Sequence, residues 1–125
     1  MHFLEYETWR LKENVDEAAY RQSIRNWFDY LKKNKENLFP EWVSAKYYQK
    51  TDREANPTGV FVMIFEYDSL EGHHAYKERR KNWDGPYAEY KKYDPYQEFF
   101  DLDTVTTEYL QPLETDVWTN FEKDL

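Results

Sequence analysis

Apolar and polar residues alternate at the start of the chain and predict a β-strand over Phe3 to Lys12. Successive side chains of a strand point to opposite faces, so this strand has two chemically different sides. One side carries Leu4, Tyr6 and Thr8. The other mixes aromatic and acidic side chains: Phe3, Glu5, Glu7 and Trp9.

The next segment has helical periodicity. Asn14 and Glu17 form a capping-box-like start, and Pro40 ends the segment. The apolar positions recur every three or four residues: Tyr20, Ile24, Trp27, Phe28 and Leu31. This spacing predicts an amphipathic helix with one buried stripe.

Two further strands are predicted over Trp42 to Lys50 and Val60 to Tyr67. The polar connection between them contains Pro57 and Gly59, which suits a hairpin loop. The later strand is apolar on both faces except at Glu66. A strand of this kind is buried on both sides, which predicts a central position in its sheet.

A second helix is expected after Asp68 and Ser69, either of which can cap it. One broad stripe of this helix carries Leu70, His73, Tyr76, Arg80 and Trp83. The Asp84-Gly85-Pro86 triplet interrupts the helix, and a second piece continues with Tyr87, Tyr90 and Tyr93. Thr104 to Leu110 then reads as the last strand.

The order β-α-β-β-α-β predicts an α+β, ferredoxin-like fold with a four-stranded antiparallel sheet and helices on one face. The first and third strands are then central. The bare side of the sheet would expose apolar residues, among them Trp9, Trp42, Val62 and Ile64. A second copy is the common cover, so we expect a homodimer or larger assembly in which two sheets enclose a barrel. Residues 1–113 form this domain.

Residues 114–125 are expected to form a tail. It carries Val117, Trp118 and Phe121, which are too apolar for a purely solvated segment. We therefore expect the tail to pack on the dimer.

Composition narrows the range of partners. The 125 residues carry a net charge of −8, which disfavours nucleic acid, and no cysteine, which excludes disulfides and thiolate chemistry. No apolar run approaches the ~20 residues of a membrane span, so no membrane partner is expected. Met1 is not followed by signal-peptide features, and cytoplasmic residence is the expectation. Aromatic residues make up 20% of the chain and favour an interface or a ligand cavity.

Four short segments carry a family resemblance: Glu5-Tyr6-Glu7-Thr8-Trp9-Arg10-Leu11-Lys12, Phe65-Glu66-Tyr67-Asp68-Ser69-Leu70, Arg79 with Asp84-Gly85-Pro86-Tyr87 and Tyr90, and Tyr109-Leu110-Gln111-Pro112. They resemble segments of NIPSNAP-like proteins and span residues 3 to 113. The resemblance implies a dimeric α/β-barrel. That superfamily also holds cofactor-free monooxygenases and haem-degrading enzymes. It implies no catalytic residues, because NIPSNAP-like proteins have no agreed ones.

Several polar residues are expected to face the enclosed barrel if Leu4 and Tyr6 lie under the helices. The candidate ligand-binding residues are Glu5, Glu7, Trp9, Lys46, Tyr48, Glu66, His73 and Glu108. Carboxylates around a lysine in a partly dry cavity have perturbed proton affinities, which marks a candidate acid/base site. The simpler interpretation is that these acids ring the barrel mouth, solvated or paired with Lys46 and Arg10.

His73 and Glu7 are the candidate catalytic residues. His73 and His74 are adjacent in sequence and lack the i, i+4 spacing of a helical metal site, and a buried structural histidine is the simpler reading of His73. A carboxylate metal site from Glu5, Glu7, Glu66 and Glu108 is a further alternative, although no metal or cofactor is expected.

Three function classes remain open. The first is a protein that binds a small organic molecule in an aromatic-lined cavity. The second is a cofactor-independent monooxygenase or isomerase that uses a cavity histidine or glutamate as its base. The third is a non-catalytic assembly protein whose barrel is filled by its own side chains.

Overall fold

The computed structural model of the chain describes residues 2–113 and 117–124, apart from the side chains of residues 123 and 124. The strands are β1 (Phe3–Leu11), β2 (Trp42–Thr51), β3 (Pro57–Tyr67) and β4 (Phe100–Leu110). The α-helices are α1 (Glu17–Lys33), α2 (Lys35–Leu38), α3 (Leu70–Arg80), α4 (Tyr96–Phe99) and α5 (Phe121–Asp124), and a 3₁₀ turn covers Tyr90–Lys92.

The four strands form one antiparallel sheet in the order β2-β3-β1-β4. The predicted α+β, ferredoxin-like fold is confirmed, and so is the central position of β1 and β3. No helix in residues 2–113 or 117–124 is both long and apolar enough to cross a membrane.

The two long helices begin at side-chain caps. Asp16 Oδ1 accepts hydrogen bonds from the backbone N–H groups of Ala18 (3.0 Å) and Ala19 (3.3 Å), which satisfies donors that the first helical turn leaves free. The prediction of Asn14 as the cap of α1 is wrong, because Asn14 has a left-handed backbone with φ 62°. Ser69 Oγ caps α3 by accepting from the Gly72 N–H at 2.8 Å.

Two strands start earlier than their sequence pattern indicates. β3 begins at Pro57 instead of Val60, because the hairpin turn is compact and the Asp52 N–H bonds the Asn56 carbonyl at 2.9 Å. β4 begins at Phe100 instead of Thr104, since an irregularity after Thr8 lets the end of β1 pair with this early part of β4.

The side of the sheet that faces the helices is the reverse of the expected one. Trp9 is fully buried and its Nε1 donates to Tyr20 Oη of α1 at 3.2 Å. Phe3, Glu5 and Glu7 share this side, so the expectation that Leu4 and Tyr6 lie under the helices is wrong. Trp42 is also on the helix side, in ring contact with Tyr76 at 5.2 Å. Of the four apolar residues that the sequence analysis names for the bare side, Val62 and Ile64 are there and Trp9 and Trp42 are not.

Aromatic rings build most of the core between the sheet and the helices. Trp27 of α1 illustrates how their polar atoms are satisfied, since its Nε1 donates to Tyr90 Oη at 3.1 Å. In the tail, Val117, Trp118 and Phe121 are 76%, 81% and 74% exposed. Their packing on a second subunit stays a prediction, and residues 114–116 and 125 lie outside the described residues.

Candidate functional site

A cavity of about 300 Å³ lies between the sheet and helix α3. Aromatic rings form most of its wall. Five ionisable side chains other than tyrosines also line it: Glu5, Glu7, Lys77, Arg80 and Asp94. A cavity with apolar walls and a few convergent polar groups is the usual form of a small-molecule site.

Three parts of the chain bring these groups together. Glu5 and Glu7 are two residues apart on β1 and therefore point the same way. Lys77 and Arg80 are three residues apart on α3, which puts them on one side of that helix. Asp94 lies just before α4, where its Oδ1 accepts a hydrogen bond from the Tyr96 N–H at 2.8 Å.

Glu5 is the centre of a buried polar cluster. Its side chain is only 4% exposed, and its Oε1 lies 3.2 Å from His73 Nε2 and 3.3 Å from Lys77 Nζ. Tyr67 Oη donates to the same oxygen at 3.4 Å. Burial lowers the pKa of both His73 and Lys77, and the negative charge of Glu5 opposes that effect in each case. Because the pKa of His73 lies below its ordinary value of 6.5, this imidazole is mainly neutral at pH 7.

Glu7 is the group best poised to exchange a proton at neutral pH. Burial raises its pKa from the ordinary 4.5 to about 7, and the nearby charge of Glu5 adds to the rise. The Tyr96 hydroxyl donates a hydrogen bond to Glu7 Oε1, which lowers the pKa in part. The carboxyl group is therefore close to half protonated at pH 7, and it can either accept or release a proton.

Two buried polar atoms of the cavity wall have no hydrogen-bond partner within the described part of the chain. They are Trp42 Nε1 and Tyr76 Oη. Burial raises the pKa of Tyr76 to about 12, so its hydroxyl keeps its proton. The Arg80 and Tyr90 side chains lie close enough to the Tyr76 hydroxyl to influence that pKa.

Among the described residues, Arg80 of this wall has no ion-pair partner. Its guanidinium carbon lies 5.5 Å from the centre of the Tyr76 ring and 5.7 Å from that of Trp83. No carboxylate in the described residues lies within ion-pair distance of it. Lys77, in contrast, is paired with Glu5.

The structure divides the sequence-predicted site residues between the two faces of the sheet. Glu5 and Glu7 line the cavity, and His73 contacts Glu5 behind the wall. Trp9 is on the same face but belongs to the core, where its ring stacks on Phe100 at 4.1 Å. Neither Trp9 nor His73 lines the cavity itself.

The other predicted residues lie on the opposite face and do not meet this cluster. They are Lys46, Tyr48, Glu66 and Glu108. The prediction that they share a face with Glu5, Glu7 and Trp9 is wrong. Side chains of β1 alternate between the two faces, and the β1 residues on the face of these four are Leu4, Tyr6 and Thr8. Glu66 accepts hydrogen bonds there from His2 Nδ1 and from Ser44 Oγ (3.0 Å), and the other three are exposed.

This division also excludes the alternative metal site. Glu5 and Glu7 are separated by the sheet from Glu66 and Glu108, so the four carboxylates cannot share one ion. Among the residues that the structure describes, no group of three or more histidine, aspartate or glutamate side chains is arranged to hold a metal.

The sequence reasoning missed most of the cavity wall. Arg80, Tyr76 and Trp83 were recognisable as one helical stripe, and the arginine within an aromatic stripe was the available signal. Lys77 lies beside that stripe. Asp94 and Tyr96 follow an irregular segment, and nothing in the local sequence pattern indicates that they lie near Glu7 of β1.

No protein-family model matches the chain, and neither does any curated protein sequence. Solved structures with a similar fold include an uncharacterised NIPSNAP-like domain protein from Burkholderia xenovorans. It is 14% identical, with a TM-score of 0.56 over 90% of this chain and 85% of that one. A dimeric protein of unknown function and ferredoxin-like fold from Bacteroides fragilis is 8% identical, with a TM-score of 0.57 over 89% and 96% of the two chains.

A third similar structure is that of SnoaB, a cofactor-independent oxygenase from Streptomyces nogalater. It is 7% identical to this chain, with a TM-score of 0.58 over 91% of this chain and 95% of that one. At these identities the likeness shows the fold alone. The expectation of a fold shared with NIPSNAP-like and dimeric ferredoxin-like proteins is confirmed.

Proposed function

We propose that this protein binds a small organic molecule in the cavity between the sheet and α3. The observation that carries the proposal is the cavity of about 300 Å³ with hydrogen-bond donors in its wall, among them Trp42 Nε1, which has no partner in the described residues. Leaving a buried donor unsatisfied costs roughly 1–3 kcal/mol. A guest that hydrogen-bonds these groups removes that cost and buries its own apolar surface against the rings.

The size of the cavity limits the guest. A volume of about 300 Å³ is at the lower end of ligand pockets, which suits a molecule of one or two fused rings. The aromatic wall favours a flat guest, since rings stack at low entropic cost.

Native mass spectrometry of the purified protein tests this proposal first, because it reports a co-purified molecule together with the subunit number. A panel of one- and two-ring compounds is then titrated against the protein. Trp42→Phe removes the indole N–H and keeps an aromatic ring, so binding of a panel hit should weaken about tenfold.

Trp118→Phe is the matched control, because Trp118 is 81% exposed in the tail. It should leave binding unchanged. The proposal is contradicted if no compound of the panel binds at millimolar concentration. It is also contradicted if neither Trp42→Phe nor Tyr76→Phe changes the affinity of the compounds that bind.

We also propose that the protein acts as a homodimer, with the sheet face opposite the helices as its interface. That face carries Leu4, Tyr6 and Ile64 on the central strands, and Tyr48 and Leu110 on the edge strands are each 49% exposed. The similar structure from Bacteroides fragilis is described as dimeric. Sedimentation velocity at micromolar concentration should give a dimer, and a stable monomer would overturn this part.

A second candidate function is enzymatic proton transfer with Glu7 as the general base. The observation that favours it is a carboxyl group with a pKa of about 7 in the wall of the cavity. A base works best when its pKa is near the operating pH. Glu7 suits this role better than His73, which does not line the cavity and is engaged by Glu5.

Deuterium exchange tests the catalytic proposal. A bound carbonyl compound with acidic C–H groups, incubated in D₂O, should exchange faster in the presence of the protein. Glu7→Gln should abolish the acceleration, because an amide cannot take the proton. Glu108→Gln, an exposed change on the other face, should retain it. Equal exchange with both variants would exclude Glu7 as the base.

A further inference from the structure

Arg80 stands apart from Lys77 because none of the described carboxylates forms an ion pair with it, although Asp94 is near enough for Arg80 to lower its pKa. Its guanidinium lies near the rings of Tyr76 and Trp83, and no described carboxylate comes within ion-pair distance. Ring faces attract a cation, but they offset only part of the cost of removing it from water. Arg80 is partly buried, and charges removed from water are usually paired with an opposite charge.

The carboxyl groups around the cavity each already have a donor. Glu5 contacts His73 and Lys77, and Glu7 accepts from the Tyr96 hydroxyl. Asp94 accepts from the backbone at the start of α4. Each of these carboxyl groups therefore has at least one donor, whereas Arg80 has no carboxylate of the described residues within ion-pair distance.

The donors of the wall include Arg80, Trp42 and Tyr76, and the Arg80 guanidinium lies beside the Tyr76 side chain. An indole N–H and a guanidinium only donate, whereas a phenol can also accept. The planar fork of a guanidinium matches the two oxygens of a carboxylate. The missing partner is therefore an oxygen acceptor that carries negative charge.

We infer that the guest is an organic monoanion, a flat and mainly apolar molecule whose single carboxylate or comparable oxyanion binds Arg80. The inference rests on the proposed binding function and adds the charge of the guest. A single charge can bind Arg80, whereas a dianion would place its second charge beside Glu5, Glu7 and Asp94.

The titratable groups in and behind the cavity wall come from several elements. They are Glu5 and Glu7 of β1, Tyr67 of β3, His73, Tyr76 and Lys77 of α3, Tyr90 of the 3₁₀ turn, Asp94 of the loop and Tyr96 of α4. Burial raises the pKa values of Glu7 and Asp94, which weakens the repulsion that an anion would meet. Burial also raises the pKa values of Tyr67, Tyr90 and Tyr96, so these phenols stay neutral.

The test uses two probes with the same rings and a different charge, 2-naphthoate and 2-naphthamide. Isothermal titration calorimetry at pH 7 should show that the carboxylate binds at least about tenfold more tightly than the amide. Arg80→Gln should weaken binding of the carboxylate about ten- to a hundredfold and change binding of the amide less than about threefold. Arg80→Lys should restore part of the loss.

Asp94→Asn should change the affinity for 2-naphthoate in the opposite direction from Arg80→Gln. The asparagine side chain keeps an oxygen for the Tyr96 N–H but removes a negative charge near Arg80, so binding of 2-naphthoate should become tighter. Arg21→Gln on the exposed surface of α1 is the matched control for arginine removal and should change neither probe. Circular dichroism checks that each variant is folded, and Arg80→Lys and Asp94→Asn still decide the matter if Arg80→Gln does not fold.

The outcomes separate the two proposals. The monoanion proposal is overturned if both probes bind with equal affinity, or if neither Arg80→Lys nor Asp94→Asn changes the affinity for 2-naphthoate. Either result leaves the proposed binding function intact. Binding of neither probe, and of no other member of the ligand panel, overturns the binding function itself.

Discussion

The Tyr96 hydroxyl donates a hydrogen bond to Oε1 of Glu7 and thereby joins α4 to the middle of β1. These two residues are 89 positions apart in the sequence. The contact stabilises the ionised form of a carboxyl group that burial otherwise drives toward its neutral form.

Removing this hydroxyl should raise the pKa of Glu7. Tyr96→Phe takes away the shorter of two hydrogen bonds that Glu7 accepts, the other being that of Thr107 Oγ1 at 3.5 Å, and hydrogen bonds to charged groups are worth roughly 1.5–3 kcal/mol. We expect the Glu7 pKa to rise from about 7 by about 1 or more. Titration of the glutamate carboxyl carbons by NMR measures it, with Tyr109→Phe as a control on an exposed ring. An unchanged Glu7 pKa would show that the Tyr96 contact has no electrostatic role.

Glu7 should make the protein less stable as the pH rises from about 4.5 to about 7. The folded chain holds the Glu7 proton up to a pKa of about 7, whereas the unfolded chain releases it near the ordinary 4.5. The folded state binds more protons in this window, so its stability falls with rising pH and is constant above it. The difference corresponds to about 3 kcal/mol at most.

Glu7→Gln removes this dependence. The variant should exceed the parent in stability by up to about 3 kcal/mol at pH 8 and differ little at pH 5. Urea unfolding at both pH values measures it. Glu108→Gln on the exposed face provides the comparison. A Glu7→Gln variant that is less stable than the parent at pH 8 would contradict the prediction.

The hairpin between β2 and β3 contains a strained alanine. Ala55 has φ 69°, a left-handed backbone that costs an L residue roughly 1–2 kcal/mol. Ala55→Gly should therefore raise the free energy of unfolding by about 0.5–1 kcal/mol, after the greater entropy of glycine in the unfolded chain is included.

The same substitution within a helix should act in the other direction. Ala75 is exposed in α3, and Ala75→Gly should lower the free energy of unfolding by about 1 kcal/mol. Denaturant curves of both variants check the pair. Destabilisation by Ala55→Gly would mean that the turn does not keep its left-handed residue in solution.

A charge in the centre of the bare sheet face should split the proposed dimer. Ile64→Lys puts an ammonium group on β3 opposite Tyr6, where a second sheet would bury it. We expect monomers by sedimentation velocity, with the far-ultraviolet circular dichroism retained. Val43→Lys, at a position 47% exposed on edge strand β2, should leave the dimer intact. A dimer that survives Ile64→Lys would place the interface elsewhere.

The fold was predictable because its local signals are strong and agree with one another. The stripe through Tyr20, Ile24 and Trp27 is helical, and all three residues are buried in α1. The two-sided apolar pattern around Met63 predicted a central strand, and Met63 is fully buried in β3. Strand starts were less predictable, since Pro57 and Phe100 join the sheet through a turn and a register shift that no local pattern shows.

The orientation of β1 was not predictable from its own residues. Both of its faces mix apolar and polar side chains, and hydropathy disfavours the face with Glu5 and Glu7 as the buried one. That face is buried because partners far along the chain satisfy it, namely His73, Lys77 and Tyr96. Long-range hydrogen bonds thus outweigh the local hydropathy preference. The candidate site therefore lies between the sheet and the helices instead of on the bare side of the sheet.

The alternation of β1 gives neighbouring residues separate tasks. Glu5 and Glu7 belong to the chamber under the helices, whereas Leu4, Tyr6 and Thr8 lie on the outer surface of the sheet. The nine residues of β1 thus separate two environments, the cavity on one side and the outer face of the sheet on the other. If the proposed dimer and the proposed binding function both hold, substitutions at alternate positions of β1 will alter one of them and leave the other untouched.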